Sequence, residues 1–243
     1  MLKRTKIVAT VGPASENPSV LKAMIQNGVN VFRLNFSHGS HEYHKKNLDN
    51  IRKVAKELNT RIGILQDISG PKIRTGELKE PFELKSGDRL DFYEEQILGE
   101  KIGEKHYKIS INHPEILAML KKDDLIYLYD GSIAVQVLEI SNKCVQTLVK
   151  NDGFLNSNKG VNFPNTKINI DIITQKDKKD LLWGIENSVD FLAISFVQNA
   201  HDIDEVREIL AQNKAEIAIF AKIEKFDAVE NIDEIIYSSD GIM

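Results

Sequence analysis

One complete strand–helix–strand unit occupies residues 29–67, which read VNVFRLNFSHGSHEYHKKNLDNIRKVAKELNTRIGILQD. The two ends of this stretch, VNVFRLN and RIGILQD, are short runs of apolar side chains, which is typical of buried strands. Between them, residues 41–58 repeat apolar side chains at helical spacing. A buried strand, a helix and a second buried strand in this order predict a parallel pair of strands joined by a right-handed crossover.

The same alternation continues on both sides of this unit. One helix begins at Pro18 after the capping residue Asn17, and another begins after Thr174, which is predicted to form a capping box with Asp177. The pattern predicts further strands at 6–11, 190–195, 217–223 and 240–243, and further helices at 18–26, 174–186, 201–211 and 227–237. Five strand–helix units in total predict an α/β fold with a parallel sheet.

The middle of the chain follows a different pattern. Short alternating segments such as DRLDFYEE and IAVQVLEI are separated by glycine-containing turn signals, which favours antiparallel β structure. We therefore predict a first barrel part at 1–70, an inserted all-β domain at 71–166 and a second barrel part at 167–243.

The number of strands bears on the choice between two α/β architectures. A closed (β/α)₈ barrel needs eight strand–helix units, typically in about 250 residues, whereas only five are present beside the insertion. The alternatives are an open sheet and a part of a larger barrel, and the end of the chain inside an apparent strand favours the second. We therefore expect a partial (β/α)₈ TIM barrel that is interrupted by an all-β domain.

The composition excludes several classes of protein. Apolar residues make up 42% and charged residues 28% of the 243 residues, which indicates ordinary globular domains. With a net charge of −4, the chain has no overall positive field for nucleic acid. Cys144 is the only cysteine, which excludes an internal disulfide, and no apolar segment is long enough to cross a membrane. We expect a cytoplasmic protein that binds neither nucleic acid nor membranes.

Polar side chains gather where the predicted strands end. In RLNFS, the side chains of Arg33, Asn35 and Ser37 are predicted to point to one side of a strand. The guanidinium suits phosphate or carboxylate, and the two oxygen donors suit a small cation. The alternative is the solvated face of an edge strand. Asp67 ends RIGILQD at the rim where parallel sheets place active sites, although it also suits a helix or turn cap.

A second pair of charged residues ends the strand IAIFAKIE. Lys222 and Glu224 are two residues apart, so their side chains are predicted to share one face. Lys222 can stabilise negative charge that develops in a transition state, and Glu224 can hold a divalent metal ion. A structural ion pair is the alternative.

Other polar residues are less specific. Arg74 and Lys159 flank the insertion, where two cations can clamp phosphates near a mobile lid or remain isolated surface charges. His38, His41 and His44 have a spacing that suits zinc, but their segment lacks cysteine and has the polar character of an exposed helix start. The sequence contains neither a P-loop nor a dinucleotide-binding fingerprint.

Several motifs in the same order resemble pyruvate kinases from end to end of the chain. They are KIVATVGPAS, VFRLNFSHG, QDISGPKIRTG, KGVNFPN, TQKDKKDL, FLAISFVQ and AKIE followed by SDGIM. The resemblance implies transfer of a phosphoryl group from phosphoenolpyruvate to ADP, which gives pyruvate and ATP. It also implies that the inserted β domain is a lid and that the whole protein is a homotetramer.

The resemblance also implies a role for each candidate residue. Arg33 is implied to engage the transferring phosphate, Lys222 to stabilise the phosphoryl group or the enolate oxygen, and Glu224 to bind Mg²⁺ or Mn²⁺. The positions implied for a monovalent cation are Asn35, Ser37, Asp67 and the carbonyl of Ile68. The positions implied for nucleotide phosphates are Arg74, Lys159 and the segment from Asn35 to His38.

Two departures from the family pattern change these expectations. Lys72 stands where potassium-dependent members carry glutamate, and Ile68-Ser69 replaces Thr-Lys. The lysine charge can replace K⁺, so we expect potassium-independent activity, with Lys72 pointing to solvent as the alternative. The chain also ends before the family's second divalent-metal ligand, so we expect the 243-residue polypeptide alone to form no pyruvate.

Two other functions stay open on the sequence. A metal-dependent lyase or aldolase that acts on pyruvate-like oxoacids also needs arginine and glutamate at strand ends. The inserted domain and the position of Lys222 two residues before Glu224 disfavour this enzyme. A non-catalytic binding module is the alternative from another class, and binding of phosphoenolpyruvate without turnover would support it.

Overall fold

The structure is a computed structural model that describes residues 4–141, 143–164, 166, 168 and 170–243, apart from the side chain of Phe226. The chain divides into two compact units. The first unit consists of Met1–Pro71 and Asp171–Met243, and the second of Lys72–Ile170. The predicted boundary between residues 166 and 167 falls at Lys167, which lies outside the described residues.

Strands and helices alternate in the first unit, and strands dominate the second. The strands are β1 (Val8–Thr10), β2 (Val31–Asn35), β3 (Gly63–Ile68), β4 (Phe82–Leu84), β5 (Arg89–Tyr93), β6 (Glu100–Gly103), β7 (His106–Ser110), β8 (Leu125–Leu128), β9 (Ile133–Ser141), β10 (Cys144–Val149), β11 (Gly153–Leu155), β12 (Val161–Asn162), β13 (Phe191–Ile194), β14 (Ala218–Ala221) and β15 (Gly241–Ile242). The helices are α1 (Pro18–Gln26), α2 (His41–Glu57), α3 (Gln175–Glu186), α4 (Ala200–Gln212), α5 (Phe226–Glu230) and α6 (Ile232–Ser238), and a 3₁₀-helix covers Pro114–Met119.

The first unit contains one parallel sheet whose strands follow the order of the chain, β1-β2-β3-β13-β14-β15. The prediction of an α/β fold with a parallel sheet is therefore confirmed. Each new strand joins the same edge of the sheet, without the reversal that characterises doubly wound sheets. The strands β1 and β15 are the edges, and β2 lies inside the sheet, so the edge-strand alternative for Arg33 is wrong.

One face of this sheet packs against the helices and forms the core of the unit. Its apolar side chains are almost completely buried because the crossover helices cover them, as expected for parallel sheets. The strands contribute Phe32, Leu34, Ile64, Ile68, Leu192, Ile194, Ile219 and Ala221, and the helices contribute Leu21, Leu48, Ile51, Leu181, Ile203 and Val206.

The helix starts agree with their capping residues. Asn17 accepts a hydrogen bond from the backbone of Ser19 at the start of α1. The predicted capping box of Thr174 and Asp177 is present at the start of α3. The predicted single helix 227–237 is wrong, since it is divided at Asn231 into α5 and α6. The side chain of Asn231 donates to the Gln198 carbonyl at 2.9 Å, and such side chain–backbone bonds compete with helix continuation.

The second unit is built almost entirely from β structure. Seven strands form a sheet in the order β12-β8-β9-β10-β5-β7-β6, and β4 pairs with β11 in a separate two-stranded sheet. All neighbouring pairs are antiparallel except β5 with β7. Cys144 lies half-buried in β10 as an unbridged thiol. No helix in the described part of the chain is both long and apolar enough to span a membrane.

Gly184 shows how closely α3 packs on the sheet. A Cβ atom at this position would lie 2.0 Å from Oε1 of Gln66 and 3.3 Å from Val189. Gln66 is fully buried in β3, and its Nε2 donates to the Asp180 carbonyl at 2.6 Å. The amide therefore has little freedom to move away from a methyl group on the helix.

We expect Gly184→Ala to lower the free energy of unfolding by up to about 2 kcal/mol, because overpacking costs about 1–3 kcal/mol and the better helix propensity of alanine returns about 1 kcal/mol. Urea denaturation of the 243-residue chain measures this change. In a Gln66→Ala background the clash is absent, so the same glycine substitution should be neutral or stabilising there. A higher unfolding midpoint for Gly184→Ala alone would contradict the prediction.

Candidate active site

The candidate site lies at the carboxyl ends of neighbouring strands in the first unit. The register of the sheet pairs Thr10 with Arg33, and Asn35 with Asp67. Asp67 is also paired with Ala193. Because side chains alternate along a strand, these residues project from the face opposite the helix-covered core. The parallel sheet thus collects polar groups from several strands at one rim.

The carboxylate of Asp67 is at the centre of this group, and its side chain is 1% exposed. Arg33 donates from Nε to Oδ2 at 2.6 Å, and Lys222 donates from Nζ to Oδ1 at 3.4 Å. The hydroxyl oxygen of Ser195 lies 3.3 Å from Oδ1, and its single proton is directed to the closer carbonyl of Ile68, at 2.6 Å. A buried carboxylate bonded by two cations is charge-compensated, so the role of Asp67 goes beyond the helix or turn cap that the sequence left as an alternative.

The ammonium group of Lys222 has three oxygen acceptors around it. In addition to Asp67, these are Oγ of Ser195 at 3.0 Å and Oε1 of Glu224 at 3.1 Å. The lysine side chain is 14% exposed. A lysine has three N–H donors, and these three partners fix the position of the charge. The ion pair with Glu224 that the sequence left as an alternative is present.

Glu224 is held from its other oxygen by a backbone amide. The amide of Phe196 donates to Oε2 at 3.2 Å, and Phe196 has the left-handed backbone angle φ of 61°. This conformation costs a non-glycine residue about 1–3 kcal/mol. Gly70 lies close by, because a Cβ there would be 3.0 Å from the Phe196 ring. The side chain of Glu224 is 35% exposed, which leaves its carboxylate accessible to a ligand.

The guanidinium of Arg33 uses Nε for Asp67 and Nη1 for the hydroxyl of Thr10, at 2.8 Å. Its third nitrogen, Nη2, takes part in neither bond. The side chain is 20% exposed, so the arginine reaches the surface of the site. A fixed guanidinium with a donor directed elsewhere suits an anionic substrate.

The four positions considered for a monovalent cation are only partly brought together. The carbonyl of Ile68 accepts from the Ser195 hydroxyl at 2.6 Å, next to the bonded Asp67 carboxylate. Asn35 Oδ1 accepts from the amide of Ser37 at 3.1 Å. Ser37 lies two residues beyond the end of β2, so the prediction that it continues the strand alternation is wrong. The chain has already turned at Phe36.

The three histidines of the 38–44 segment do not form a metal site. No group of three or more ligating side chains that could hold a metal ion occurs among the residues that the structure describes. The predicted exposed helix start is wrong for His44, which is 3% exposed. His44 is buried because its ring packs against the rings of Phe36 and Trp183. His41 pairs with Asp180 at 2.7 Å.

Arg74 and Lys159 lie in the second unit, on neighbouring segments. The amide of Thr75 donates to the Lys159 carbonyl at 2.8 Å, and Arg74 forms a β-bridge with Gly160. The ammonium of Lys159 lies 4.4 Å from the centre of the Tyr129 ring. The two cations therefore belong to one short stretch of antiparallel structure, which the sequence did not show.

Two residues of the site were missed by the sequence prediction, Thr10 and Ser195. Ser195 contacts both Asp67 and Lys222, and Thr10 contacts Arg33. A signal was available for each. Ser195 directly follows the strand FLAI, and Thr10 ends the strand VAT, so both are polar residues at the carboxyl ends of parallel strands.

Comparison with known proteins adds evidence that is independent of this geometry. The family model for the pyruvate kinase barrel domain matches residues 2–243. The chain is 41% identical over 246 residues to a pyruvate kinase of Sporosarcina psychrophila and 42% identical over 245 residues to one of Staphylococcus epidermidis. Both alignments cover 100% of this chain and 41% of the relative, so the chain spans about two fifths of the length of these curated relatives.

A solved structure gives the same result in three dimensions. A crystal structure of a pyruvate kinase from Cryptosporidium parvum matches with a TM-score of 0.93 at 37% sequence identity. The match covers 98% of this chain and 50% of the other. Since the family model also extends over nearly every residue, the chain belongs to the pyruvate kinase family.

Proposed function

We propose that the protein containing this chain transfers the phosphoryl group of phosphoenolpyruvate to ADP and forms pyruvate and ATP. The observation that carries the proposal is the placement of Arg33 and Lys222 on the buried Asp67 carboxylate, beside Glu224. Phosphoryl transfer needs positioned positive charge and no covalent protein intermediate. Family membership and this set of charges support the same reaction.

In this reaction the bond between phosphorus and the enol oxygen breaks, and a new bond forms to a terminal oxygen of ADP. Arg33 binds the phosphoryl group through its guanidinium. Lys222 lies where it can neutralise charge that develops on the phosphoryl group or on the leaving enolate oxygen. The enolate then takes a proton and becomes pyruvate. Asp67 and Ser195 hold the lysine in place throughout.

The chemistry of Glu224 fits a divalent cation such as Mg²⁺ or Mn²⁺. Magnesium commonly binds one or two carboxylates and completes its shell with water and substrate oxygens. Glu224 supplies one partly exposed carboxylate, held by the Phe196 amide. A bound divalent ion would supply positive charge that draws the phosphates together.

We propose that the activity does not require K⁺. Both oxygens of Asp67, a family position for the monovalent cation, are already bonded to protein groups. Lys72, in place of the glutamate of potassium-dependent members, adds a positive charge that a bound K⁺ would otherwise supply. Asn35, Ser37 and the Ile68 carbonyl would complete the site if a cation were bound.

The nucleotide is proposed to bind through the segment from Asn35 to His38, together with Arg74 and Lys159.

We propose that the parallel sheet is part of a (β/α)₈ barrel and that the domain 71–166 is an inserted lid. The order of the strands and the insertion between β3 and β13 support this arrangement. The family further suggests a homotetramer in the cytoplasm. The lyase alternative is disfavoured, since the relatives of this chain are pyruvate kinases.

We expect Lys222→Met to reduce the turnover number by about 10³-fold or more, because the charge that stabilises the transition state is lost. The measurement is pyruvate formation from phosphoenolpyruvate, ADP and Mg²⁺ by the whole gene product. Lys178→Met is the matched control, since Lys178 is a half-exposed lysine that pairs with Glu205 away from the site. Equal activity of the Lys222 variant and wild type would reject the assignment of this residue.

We expect the wild-type rate to change by less than about twofold when K⁺ is added to a potassium-free assay, because one lysine charge substitutes for one cation. In Lys72→Glu, the same addition should raise the rate at least about tenfold. Lys79→Glu, at an exposed lysine of the same unit, is the charge-matched control. A strong response of the wild type to K⁺ would overturn the proposal.

A further inference from the structure

The turn after β2 is held by side chains from two helices. Lys176, at the start of α3, donates from Nζ to the carbonyl of Phe36 at 2.8 Å. His44, in the first turn of α2, donates from Nε2 to the carbonyl of His38 at 2.8 Å. The turn therefore has two of its backbone carbonyls anchored from outside its own segment.

The imidazole of His44 also packs face to face on Phe36. The two ring centres are 4.0 Å apart, and the planes differ by 13°. Trp183 contacts both rings, with ring centres 5.0 Å from Phe36 and 6.4 Å from His44. His44 is thus enclosed between the turn and the core of the first unit, and it is only 3% exposed.

Burial lowers the pKa of His44 below its usual value, so the ring is neutral near pH 7. A carbonyl oxygen only accepts, so Nε2 must carry the ring proton, and Nδ1 is then an acceptor. Nδ1 is buried and has no hydrogen-bond partner among the described residues. A buried acceptor without a partner is unfavourable.

Packing alone gives no reason for a histidine at this position. A phenylalanine ring would stack on Phe36 without leaving a buried nitrogen unpaired. What the imidazole adds is the hydrogen bond from Nε2 to the His38 carbonyl. The hydrogen bond therefore indicates that His44 positions the turn and does not merely fill space in the core.

We propose that His44 is a positioning residue that fixes the turn from Asn35 to Gly39 in the conformation that receives the phosphates of ADP. The proposal rests on the proposed function, since that function assigns the Asn35–His38 segment to the nucleotide. His44 does not touch the reacting atoms. It acts through the backbone of His38.

The test compares two variants of the whole gene product. His44→Phe keeps a ring on Phe36 and removes the donor, whereas His44→Gln places an amide donor near the position of Nε2. Hydrogen–deuterium exchange of peptides covering residues 35–40 reports on the turn in the ligand-free protein. Calorimetry then gives the dissociation constants of ADP and of phosphoenolpyruvate, each with Mg²⁺. The core variant Val206→Ala, in α4, controls for a general loss of stability.

We expect His44→Phe to speed exchange in the turn and weaken ADP binding by about tenfold, the effect of one lost hydrogen bond, with phosphoenolpyruvate binding changed less than about twofold. His44→Gln should recover most of both losses, and Val206→Ala should show neither. Unchanged exchange or unchanged ADP binding in His44→Phe, or equal losses in Val206→Ala, would overturn the proposal. A wild type that binds ADP but forms no pyruvate would reject the proposed function alone, because exchange and ADP binding would still decide the role of His44.

Discussion

The carboxylate of Asp67 keeps its charge almost entirely out of water, and this constraint governs the rim of the parallel sheet. An isolated buried charge costs several kcal/mol, so the carboxylate needs both of its cations. Arg33 comes from β2, and Lys222 directly follows β14. Loss of either cation would leave the buried carboxylate with a single cationic partner, and removing one partner of a buried ion pair costs up to about 3–5 kcal/mol. The ends of strands that are distant along the chain are thereby held in one arrangement.

This arrangement has a further effect on the electrostatics of the site. The carboxylates of Asp67 and Glu224 offset the charges of Arg33 and Lys222, so the resting site carries two groups of each sign. The two cationic groups are therefore held in place before a substrate binds, and the two carboxylates prevent a large excess of positive charge in the site. Preorganised charge of this kind costs little reorganisation when negative charge develops nearby. The ion pairs that hold the strand ends in place are therefore the same ones that position the cations for an anionic substrate.

Patterns within one segment were predictable from sequence, whereas contacts between segments were not. The strands of the sheet and the capping box at Thr174 follow from periodicity and local hydrogen bonding. The break at Asn231 depends on a contact with Gln198, a residue more than thirty positions earlier in the chain. The burial of His44 depends on Phe36 and on Trp183 from α3, and polar periodicity gave the wrong expectation there. Charged residues at strand ends were found, but the neutral partner Ser195 was not.

The position of the insertion has a consequence for the order of folding. The second unit is inserted in the chain between β3 and β13, yet these two strands pair directly, with Asp67 opposite Ala193. Within the second unit, the first and last segments are themselves joined where Thr75 bonds to the Lys159 carbonyl. The entropy lost on closing a loop grows with the logarithm of its length. An antiparallel unit that folds early would shorten the loop that β3 and β13 must close, so the rate at which the parallel sheet forms depends on a part of the chain outside that sheet.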